Sequence, residues 1–372
     1  MHEVTVSNDE TTTSVGSASA GSVWLARGIA TWALVGLHLE QAGGISFLSG
    51  LYGWACDNVK NYQIVLADGN IVDANLTTNP DLYRALRGGG NQFGIVTRFD
   101  LHTVPLGDMW GGVTIVPIAL NKTVYEYYHD FNQCAAQDPN AHLIVALSCA
   151  PGLIPNQPCF FTNFYVYAKP VVNPPIFYNF TALPNITSTA RIANISNLTA
   201  ELAEQQPYGS RELWVDVTFK NDAGILEQAA SMFADAVLPI YAMNLTGFAA
   251  ASATQPVTST IIANMQKNGG NALGIEPDDG PLTVLNINYK WSDEKDDAFL
   301  ESSAYAPLNN LTVAAKARGV YFRYEYMNYA GKLQDPYGGY GADSKAELLA
   351  TSQRYDPDRV FASLQPGYFV LS

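Results

Sequence analysis

The 372-residue chain is poor in charged side chains, which make up 15% of it, and poorer in basic than in acidic ones. Lys and Arg number 20 against 34 Asp and Glu, which gives a net charge of −14. This balance argues against a nucleic-acid or anionic-membrane partner, because both need a basic face. No apolar run reaches 18 residues, so no membrane-spanning helix is predicted. Hydrophobic residues at 48% supply enough apolar surface for a globular core.

Several catalytic signatures are missing from the sequence. It contains no G-x-x-x-x-G-K-[ST] phosphate-binding loop and no G-x-S-x-G nucleophile turn. Its five histidines lack the i, i+4 spacing of helical zinc ligands, and no C-x-x-C pair occurs. These absences argue against P-loop enzymes, serine hydrolases of that type and zinc enzymes, and no metal site is predicted.

The chain has only four cysteines, too few for a disulfide scaffold. Cys149 and Cys159 flank a proline-rich loop and can pair if the compartment is oxidising. Buried thiols are the alternative for these two residues.

Asn-x-Ser/Thr sequons are more frequent than the composition explains, because eight occur where the residue frequencies give about three by chance. They predict a secreted glycoprotein, with an Asn- and Thr-rich composition as the alternative. The first 20 residues are polar and do not have the form of a signal peptide, so we expect that the natural beginning is absent from this chain. The sequons begin at Asn75, Asn121, Asn179, Asn185, Asn194, Asn197, Asn244 and Asn310.

The pattern between residues 62 and 101 predicts a hairpin, a helix and a further strand. Asp68-Gly69 favours a tight turn between two apolar runs. Asn79 followed by Pro80 marks a helix start, and the glycines at 88–90 end that helix. This glycine run precedes a strand, whereas a dinucleotide fingerprint follows one, so a Rossmann fold is not predicted.

The middle of the chain has long aromatic-rich strands separated by helices. This alternation predicts an α+β fold, with an antiparallel sheet covered by helices on one face. The predicted strands are 159–167, 213–219, 282–291 and 320–328, and the predicted helices are 124–137, 223–236 and 296–311.

Several motifs, in order from about residue 36 to the end, resemble those of the berberine-bridge-enzyme-like oxidoreductases, which belong to the vanillyl-alcohol-oxidase class of FAD proteins. They are GGISFLS at 43–49, YGWACDNV at 52–59, VLADG at 65–69, NPDLYRALRGGGNQFGIVT at 79–97, YMNYA at 326–330 and YDPDRVF at 355–361. GGNALG at 269–274 and DDGP at 278–281 are similar to the fungal branch of that family.

The resemblance implies an FAD-dependent oxidoreductase that removes a hydride from a small molecule, such as a secondary metabolite, alcohol or sugar, to flavin N5, with O₂ as acceptor. It implies a PCMH-type FAD-binding domain of residues 1–112, a substrate domain of 113–319 and a segment of 320–372 that returns to the FAD domain. We expect a monomer with no nucleic-acid or membrane partner.

The resemblance also implies site residues. Tyr329 is the expected catalytic base, although a phenol of pKa about 10 must be lowered to act near neutral pH. Asn328 is expected to bond the flavin ring. If residues 320–328 form one strand, Tyr324, Tyr326 and Asn328 share a face. The other expected cofactor contacts are Gly43, Gly44, Ile45, Ser46, Gly53, Asp57, Asn58, Gly94, Ile95 and Val96.

Two departures from the family pattern matter. The family begins with a subdomain that holds the FAD pyrophosphate and a His that bonds covalently to the flavin, and we expect that this sequence starts too late to contain either. Glu40-Gln41-Ala42 also interrupts the run that leads to Gly43. The FAD-binding domain is therefore expected to be incomplete at its N-terminus, and the alternative function is a truncated, non-catalytic remnant that binds a ligand or nothing.

Overall fold

The computed structural model describes residues 4–16, 29–31, 42–150, 158–204, 209–364 and 369–372. A small antiparallel sheet near the N-terminus has the strand order β1-β2-β6-β4-β5, with β3 also paired to β6. Most of residues 17–41, including the run before Gly43, lie outside the described part. The strands are β1 (Val4–Val6), β2 (Thr12–Gly16), β3 (Ile29–Thr31), β4 (Val59–Val65), β5 (Ile71–Asn75) and β6 (Ile95–Pro105).

A larger antiparallel sheet has the order β10-β7-β9-β8-β13-β14-β12-β15, with β11 also paired to β7. The predicted strands 159–167 and 282–291 are confirmed as β9 and β14. The strands are β7 (Met109–Pro117), β8 (Ala141–Cys149), β9 (Cys159–Tyr167), β10 (Thr187–Ser188), β11 (Arg191–Ala193), β12 (Arg211–Lys220), β13 (Ala249–Val257), β14 (Leu282–Trp291) and β15 (Tyr321–Phe322).

The helices lie between the strands and at the C-terminal end. They are α1 (Ser49–Tyr52), α2 (Pro80–Leu86), α3 (Asn121–Cys134), α4 (Tyr178–Thr181), α5 (Ile195–Glu204), α6 (Ala223–Ala242), α7 (Ser259–Met265), α8 (Asp297–Arg318), α9 (Pro336–Gly339), α10 (Ala342–Tyr355) and α11 (Val360–Leu364). None of the helices in the described ranges is both long and apolar enough to cross a bilayer.

Three long helices, α3, α6 and α8, cover one face of the large sheet. Their apolar sides share one core with alternate residues of the strands, such as Val215 and Val217 of β12 and Leu285 and Ile287 of β14. This arrangement confirms the predicted α+β class. The predicted boundary at 112/113 falls inside β7, and the division into domains stays a prediction.

The small sheet carries the motif-rich part of the chain. β4 and β5 form the predicted hairpin, with Gly69 at a φ of +84° in its turn. Helix α2 starts at Pro80 as predicted, but the Asn79 side chain does not cap it. Its Oδ1 accepts from the Tyr355 hydroxyl at 3.3 Å, and its Nδ2 donates to Asp73 O at 2.8 Å. Apolar residues of this sheet, of α2 and of α7 form a second core with Phe322, Tyr324 and Tyr326.

The prediction of a strand over 320–328 is wrong, because β15 ends at Phe322. Beyond that residue the edge of β12 is covered by a side chain: Asp216 N donates to Gln334 Oε1 at 3.0 Å and Gln334 Nε2 donates to Asp216 O at 2.8 Å. The chain from Arg323 therefore leaves the sheet and folds into a turn, where Tyr329 N donates to Tyr326 O at 2.8 Å. The expected alternation of Tyr324, Tyr326 and Asn328 does not apply.

The disulfide that the sequence left open is present between Cys149 and Cys159, directly opposite residues of β8 and β9. Cys56 and Cys134 remain thiols. We expect two reactive thiols in the denatured, unreduced chain and four after reduction. Cys159→Ala should lower the free energy of unfolding by about 3 kcal/mol, because it removes a cross-link, across a sequence separation of 10 residues, that restricts the unfolded chain. Thiol titration and denaturant unfolding check both, and four thiols without reduction would contradict the pairing.

Candidate functional site

The first part of the candidate site is a glycine turn, defined as residues 43–46. Gly43 has a φ of +117°, and a Cβ there would lie 2.7 Å from the Trp54 ring. Only glycine fits this close approach in this backbone conformation. The carbonyls of Gly43 and Gly44 accept hydrogen bonds from Cys56 N and Ala55 N at 2.9 and 2.7 Å. The turn is therefore fixed against the segment that leads into β4.

The second part is the C-terminal turn, defined as residues 326–329. The Tyr326 hydroxyl oxygen accepts hydrogen bonds from Gly44 N at 3.1 Å and from Ile45 N at 2.9 Å. Its ring packs on Trp54 with the centroids 5.2 Å apart. Burial raises the pKa of Tyr326, so it stays a neutral phenol. The structure thus brings together two predicted motifs that are almost 300 residues apart in the chain.

Asn328 and Tyr329 lie half-buried where these two turns meet. Asn328 Nδ2 donates to Ala42 O over a long 3.5 Å. The Tyr329 hydroxyl accepts a hydrogen bond from Gln255 Nε2 at 2.7 Å. Its ring stacks on Trp214, with the centroids 5.2 Å apart and the planes at 19°. Both predicted residues therefore lie at one corner, beside the large sheet.

The environment of Tyr329 pulls its pKa in two directions. Burial raises the pKa, the hydrogen bond from Gln255 lowers it, and the nearby Asp216 raises it. The net direction is upward, the opposite of what a base needs. Gln255 is the neighbouring donor that a base at this position requires, and the catalytic role of Tyr329 stays a prediction.

Gly53, Asp57 and Asn58 lie behind the glycine turn and bond within the protein. Asp57 Oδ2 accepts from Trp54 N at 2.8 Å, and a Cβ on Gly53 would lie 2.7 Å from that oxygen. Asn58 Nδ2 donates to Trp54 O at 2.8 Å. Burial raises the pKa of Asp57, with Arg87 and Asn271 acting against it. These residues support the turn from the rear, and direct contact with a cofactor stays a prediction for them.

Gly94, Ile95 and Val96 are not at this corner. Ile95 and Val96 pair with Val65 and Ile64, at the far end of β4 from the glycine turn. Six residue steps along β4 separate the two ends by about 20 Å. Val65 pairs with Ile95 on one side and with Ile71 on the other, so the three side chains share one face of the small sheet. Ile95 is 56% exposed and Ile71 is 64% exposed. The predicted cofactor contacts therefore form two groups at opposite ends of one strand.

Sequence reasoning missed four polar or aromatic residues on the face of the large sheet that α3, α6 and α8 leave uncovered, here called its open face, although other parts of the chain bury three of them. Asp216 is directly opposite Asn286, while Trp214 is two residues along β12 and shares its face. Gln255 of β13 lies on the same face, one strand further on. Beside them a cavity of about 440 Å³ is lined by Ile115, Phe160, Thr162, Ala251 and Asn288. The apolar alternation of β12 was the one signal that could have revealed this face.

Comparison with solved structures identifies the class of protein that has this fold. BBE-like 1 of Physcomitrella patens superposes with a TM-score of 0.75 at 18% identity, over 96% of this chain and 78% of that one. The 6-hydroxy-D-nicotine oxidase of Arthrobacter nicotinovorans gives a TM-score of 0.74 at 16% identity, with the same shares covered. The fold is that of the vanillyl-alcohol-oxidase class with a PCMH-type FAD-binding domain, as the resemblance implied.

Sequence relatives then identify the family. The FAD-dependent monooxygenase FUP4 of Fusarium proliferatum is 37% identical over 340 residues, which are 88% of this chain and 65% of the relative. The FAD-dependent monooxygenase sdcF of Emericella nidulans is 33% identical over 342 residues, 91% of this chain and 70% of the relative. The chain belongs to this family of FAD-dependent oxidoreductases. No family model matches the chain.

The chain spans 65% of the length of the first of these relatives, so activity, substrate and partners are matters for proposal. The residues present fit part of an FAD. The Asn328 amide, with its long bond, is at the open corner, and two groups of predicted contacts about 20 Å apart suit an elongated dinucleotide. The N–H groups of Gly44, Ile45 and Ser46 already donate within the protein, so the glycine turn fits as a wall and not as a set of donors. Among the described side chains no group of three or more metal-ligating residues occurs.

Proposed function

We propose that the chain acts as an FAD-dependent oxidoreductase that removes a hydride from a small molecule, with O₂ as the electron acceptor. The observation that carries this proposal is the corner where the Tyr326 hydroxyl joins the glycine turn to the C-terminal turn and leaves Asn328 and Tyr329 half-buried. Family membership supports the cofactor. No feature of the described residues favours the non-catalytic alternative.

The proposed cofactor placement follows from the two groups of residues. Residues 43–46 would form a wall against the flavin ring at the corner, and the Asn328 amide would bond a ring heteroatom. At the other end of β4, exposed Ile95 and Ile71 would offer an apolar surface to the flat adenine base. Burying such exposed side chains under a ligand is favourable, since it removes apolar area from water.

When bound, FAD would provide the hydride acceptor, flavin N5, for a substrate carbon. The protein would orient the flavin and the substrate and provide the proton acceptor. Tyr329 is the proposed proton acceptor, because its half-buried side chain lies beside Asn328 at the corner and its hydroxyl is held by a single side-chain donor. Gln255 holds that oxygen by donating to it and stabilises the phenolate that forms when Tyr329 loses its own proton. Trp214 fixes the plane of the ring by stacking.

The proposed substrate is a small molecule, such as a secondary metabolite, alcohol or sugar, bound on the open face of the large sheet. The cavity of about 440 Å³ there has a floor of small residues, including Ala251, with Phe160 and Ile115 on one side. Asn288, on the other side of the cavity, is directly opposite Trp214. The Trp214 ring stacks on the ring of Tyr329. A pocket of this size suits a ligand of drug-like dimensions.

Secretion and glycosylation are proposed with the enzyme function. Six of the eight sequon asparagines are exposed, and Asn75 and Asn121 are half-buried. The disulfide between Cys149 and Cys159 supports an oxidising compartment. The monomeric state is part of the same proposal. The exposed six are Asn179, Asn185, Asn194, Asn197, Asn244 and Asn310.

Titration of the purified chain with FAD tests the function. We expect quenching of flavin fluorescence that saturates at one FAD per chain. Asn328→Ala should weaken binding by about 3- to 10-fold, because it removes one hydrogen bond to the ring. Asn309→Ala, at an exposed asparagine of α8, is the matched control and should bind like the parent.

Anaerobic mixing of the loaded chain with phenols, alcohols and sugars then tests the chemistry. Bleaching of the flavin by at least one class, followed by recovery in air, is the expected result. A chain that is folded by circular dichroism but binds no FAD would contradict the proposal.

A further inference from the structure

Two buried side-chain oxygens on directly opposite residues of β12 and β14 have no hydrogen-bond partner among the described atoms. They are Asp216 Oδ1 and Asn286 Oδ1, and each residue is only 1% exposed. The Cβ atoms of directly opposite residues lie about 4.5–5.5 Å apart and point to the same face. Two buried acceptors side by side are costly when both lack a donor. A single hydrogen placed between them satisfies both.

The rest of the Asp216 carboxyl group is already fixed. Its Oδ2 accepts a hydrogen bond from Tyr326 N at 2.7 Å, which leaves Oδ1 as the oxygen that can carry a proton. Its backbone N–H and carbonyl are both held by Gln334. The carboxyl group therefore cannot turn Oδ1 toward another donor without losing the bond to the C-terminal turn.

No basic side chain forms an ion pair with Asp216 in the part of the chain that the structure describes. Asp216 and Lys316 both line a polar cavity of about 380 Å³. The Lys316 ammonium group, however, lies over the Tyr321 ring, 4.6 Å from its centroid. Burial raises the pKa of Asp216 well above its usual range, and the carboxylate of Glu325 raises it further. Among the described residues, the titratable and charged groups around it are Tyr305, Lys316, Tyr321, Tyr324, Glu325, Tyr329, Asp335 and Tyr340.

We propose that Asp216 is a protonated, neutral acid in the folded chain, that it donates from Oδ1 to Asn286 Oδ1, and that it positions the C-terminal turn through Oδ2. Asp57, the other fully buried aspartate near the site, differs from Asp216 because the side chains of Arg87 and Asn271 donate hydrogen bonds to its carboxylate. Asp216 has one backbone donor and supplies its own hydrogen for the second bond.

A consequence for catalysis rests on the proposed function. Negative charge on Asp216 raises the pKa of Tyr329, so an ionised Asp216 would lower the fraction of Tyr329 that is present as the phenolate able to accept a proton. A neutral Asp216 removes that repulsion while it keeps the bond to Tyr326 N. Asp216 is thus a positioning residue, and its charge state sets how readily Tyr329 gives up and takes a proton.

Unfolding of the flavin-free chain as a function of pH tests the proposal, with Asp216→Asn as the variant. Asparagine can donate to Asn286 and accept from Tyr326 N, so it copies the neutral acid. In the parent, the folded state keeps a proton that the unfolded state loses above a pKa of about 3.9. Its folding constant should therefore fall up to tenfold per pH unit, relative to the variant, as pH rises from about 4 to the folded pKa of Asp216.

Asp278→Asn, at an exposed aspartate, is the control and should keep the parental pH dependence. If Asp216→Asn and the parent have the same pH dependence, and the variant is less stable by the same factor at every pH, then Asp216 is ionised and the proposal is overturned.

Infrared spectroscopy gives a second test that does not depend on the Asp216 variant folding. The parent at neutral pH should have the C=O stretching band of a protonated carboxylic acid, sensitive to D₂O. Asn286→Leu removes the acceptor and should shift that band to higher frequency. Absence of the band, or a band that Asn286→Leu leaves unchanged, would overturn the proposal. Both tests use flavin-free chain, so their failure and a failure to bind FAD are distinct results.

Discussion

Arg87→Leu is expected to lower the free energy of unfolding by about 3–5 kcal/mol, the cost of breaking a buried charge pair by removing one partner. Arg87 is fully buried and lies 3.4 Å from Asp57 Oδ1. Its guanidinium also donates to five backbone carbonyls, and the three shortest of these bonds are to Cys56 O at 2.9 Å, Asn268 O at 2.7 Å and Gly270 O at 2.6 Å. Leucine fills the space but leaves the carboxyl and the carbonyls without these donors.

Arg84→Leu is the matched control, because Arg84 lies in the last turn of α2, three residues before Arg87. Its side chain is partly exposed and pairs with Glu347 on the surface. Loss of that pair should cost less than about 1 kcal/mol. Urea unfolding of the parent and the two variants measures the difference. Equal losses for Arg84→Leu and Arg87→Leu would contradict a structural role for the buried pair.

Arg87, Asp57 and the backbone carbonyls that Arg87 bonds, here called the Arg87 cluster, also support the candidate site. Cys56 accepts from Arg87 through its carbonyl and donates to the Gly43 carbonyl through its N–H at 2.9 Å. Loosening the cluster therefore loosens the wall against which the flavin ring is proposed to lie. An Arg87→Leu chain that still folds should bind FAD more weakly than Arg84→Leu.

Tyr329→Phe is expected to slow anaerobic flavin reduction by about 10²- to 10⁴-fold, the usual cost of removing a positioned general base. Hydride leaves a carbon readily only as the attached O–H or N–H loses its proton, and phenylalanine cannot accept one. The ring and its stacking on Trp214 remain, so FAD binding should be unchanged. Stopped-flow bleaching of the bound flavin by an active substrate measures the rate.

Gln255→Leu separates the base from its positioning residue. It removes the 2.7 Å donor to the Tyr329 hydroxyl and keeps the side-chain volume. Since that hydrogen bond lowers the pKa of Tyr329, its loss should move the rise of the pH–rate profile to higher pH.

Unchanged flavin reduction in Tyr329→Phe would transfer the base role to another residue, with Tyr324 and Glu325 as the first alternatives.

The sequence was most informative where apolar residues are dense. β9 and β14 were predicted residue for residue, because both are nearly continuous apolar and aromatic runs between turn residues. Asp68-Gly69 predicted the β4–β5 hairpin for a local steric reason. The family motifs pointed to the glycine turn and the C-terminal turn, which the structure brings into contact. That contact through Tyr326 joins residues far apart in the chain and cannot be derived from local pattern.

The sequence was least informative where long-range contacts decide the structure. β13 is rich in Ala, Ser and Thr and has no apolar alternation, so Gln255 could not be placed beside Tyr329. Residues 320–328 look like a strand, but Gln334 takes the hydrogen bonds at the edge of β12. Asp57 and Asn58 follow the family motif, yet their polar atoms bond within the protein.

Hydrogen–deuterium exchange with and without FAD tests the central claim most directly, because it locates the bound cofactor on the folded chain. The account predicts slower exchange in peptides that cover residues 42–47 and 323–330, with a second protected group at residues 94–96. Helices α6 and α8, on the far face of the large sheet, should exchange at an unchanged rate. Protection confined to other segments, with 42–47 and 323–330 unaffected at saturating FAD, would contradict the site.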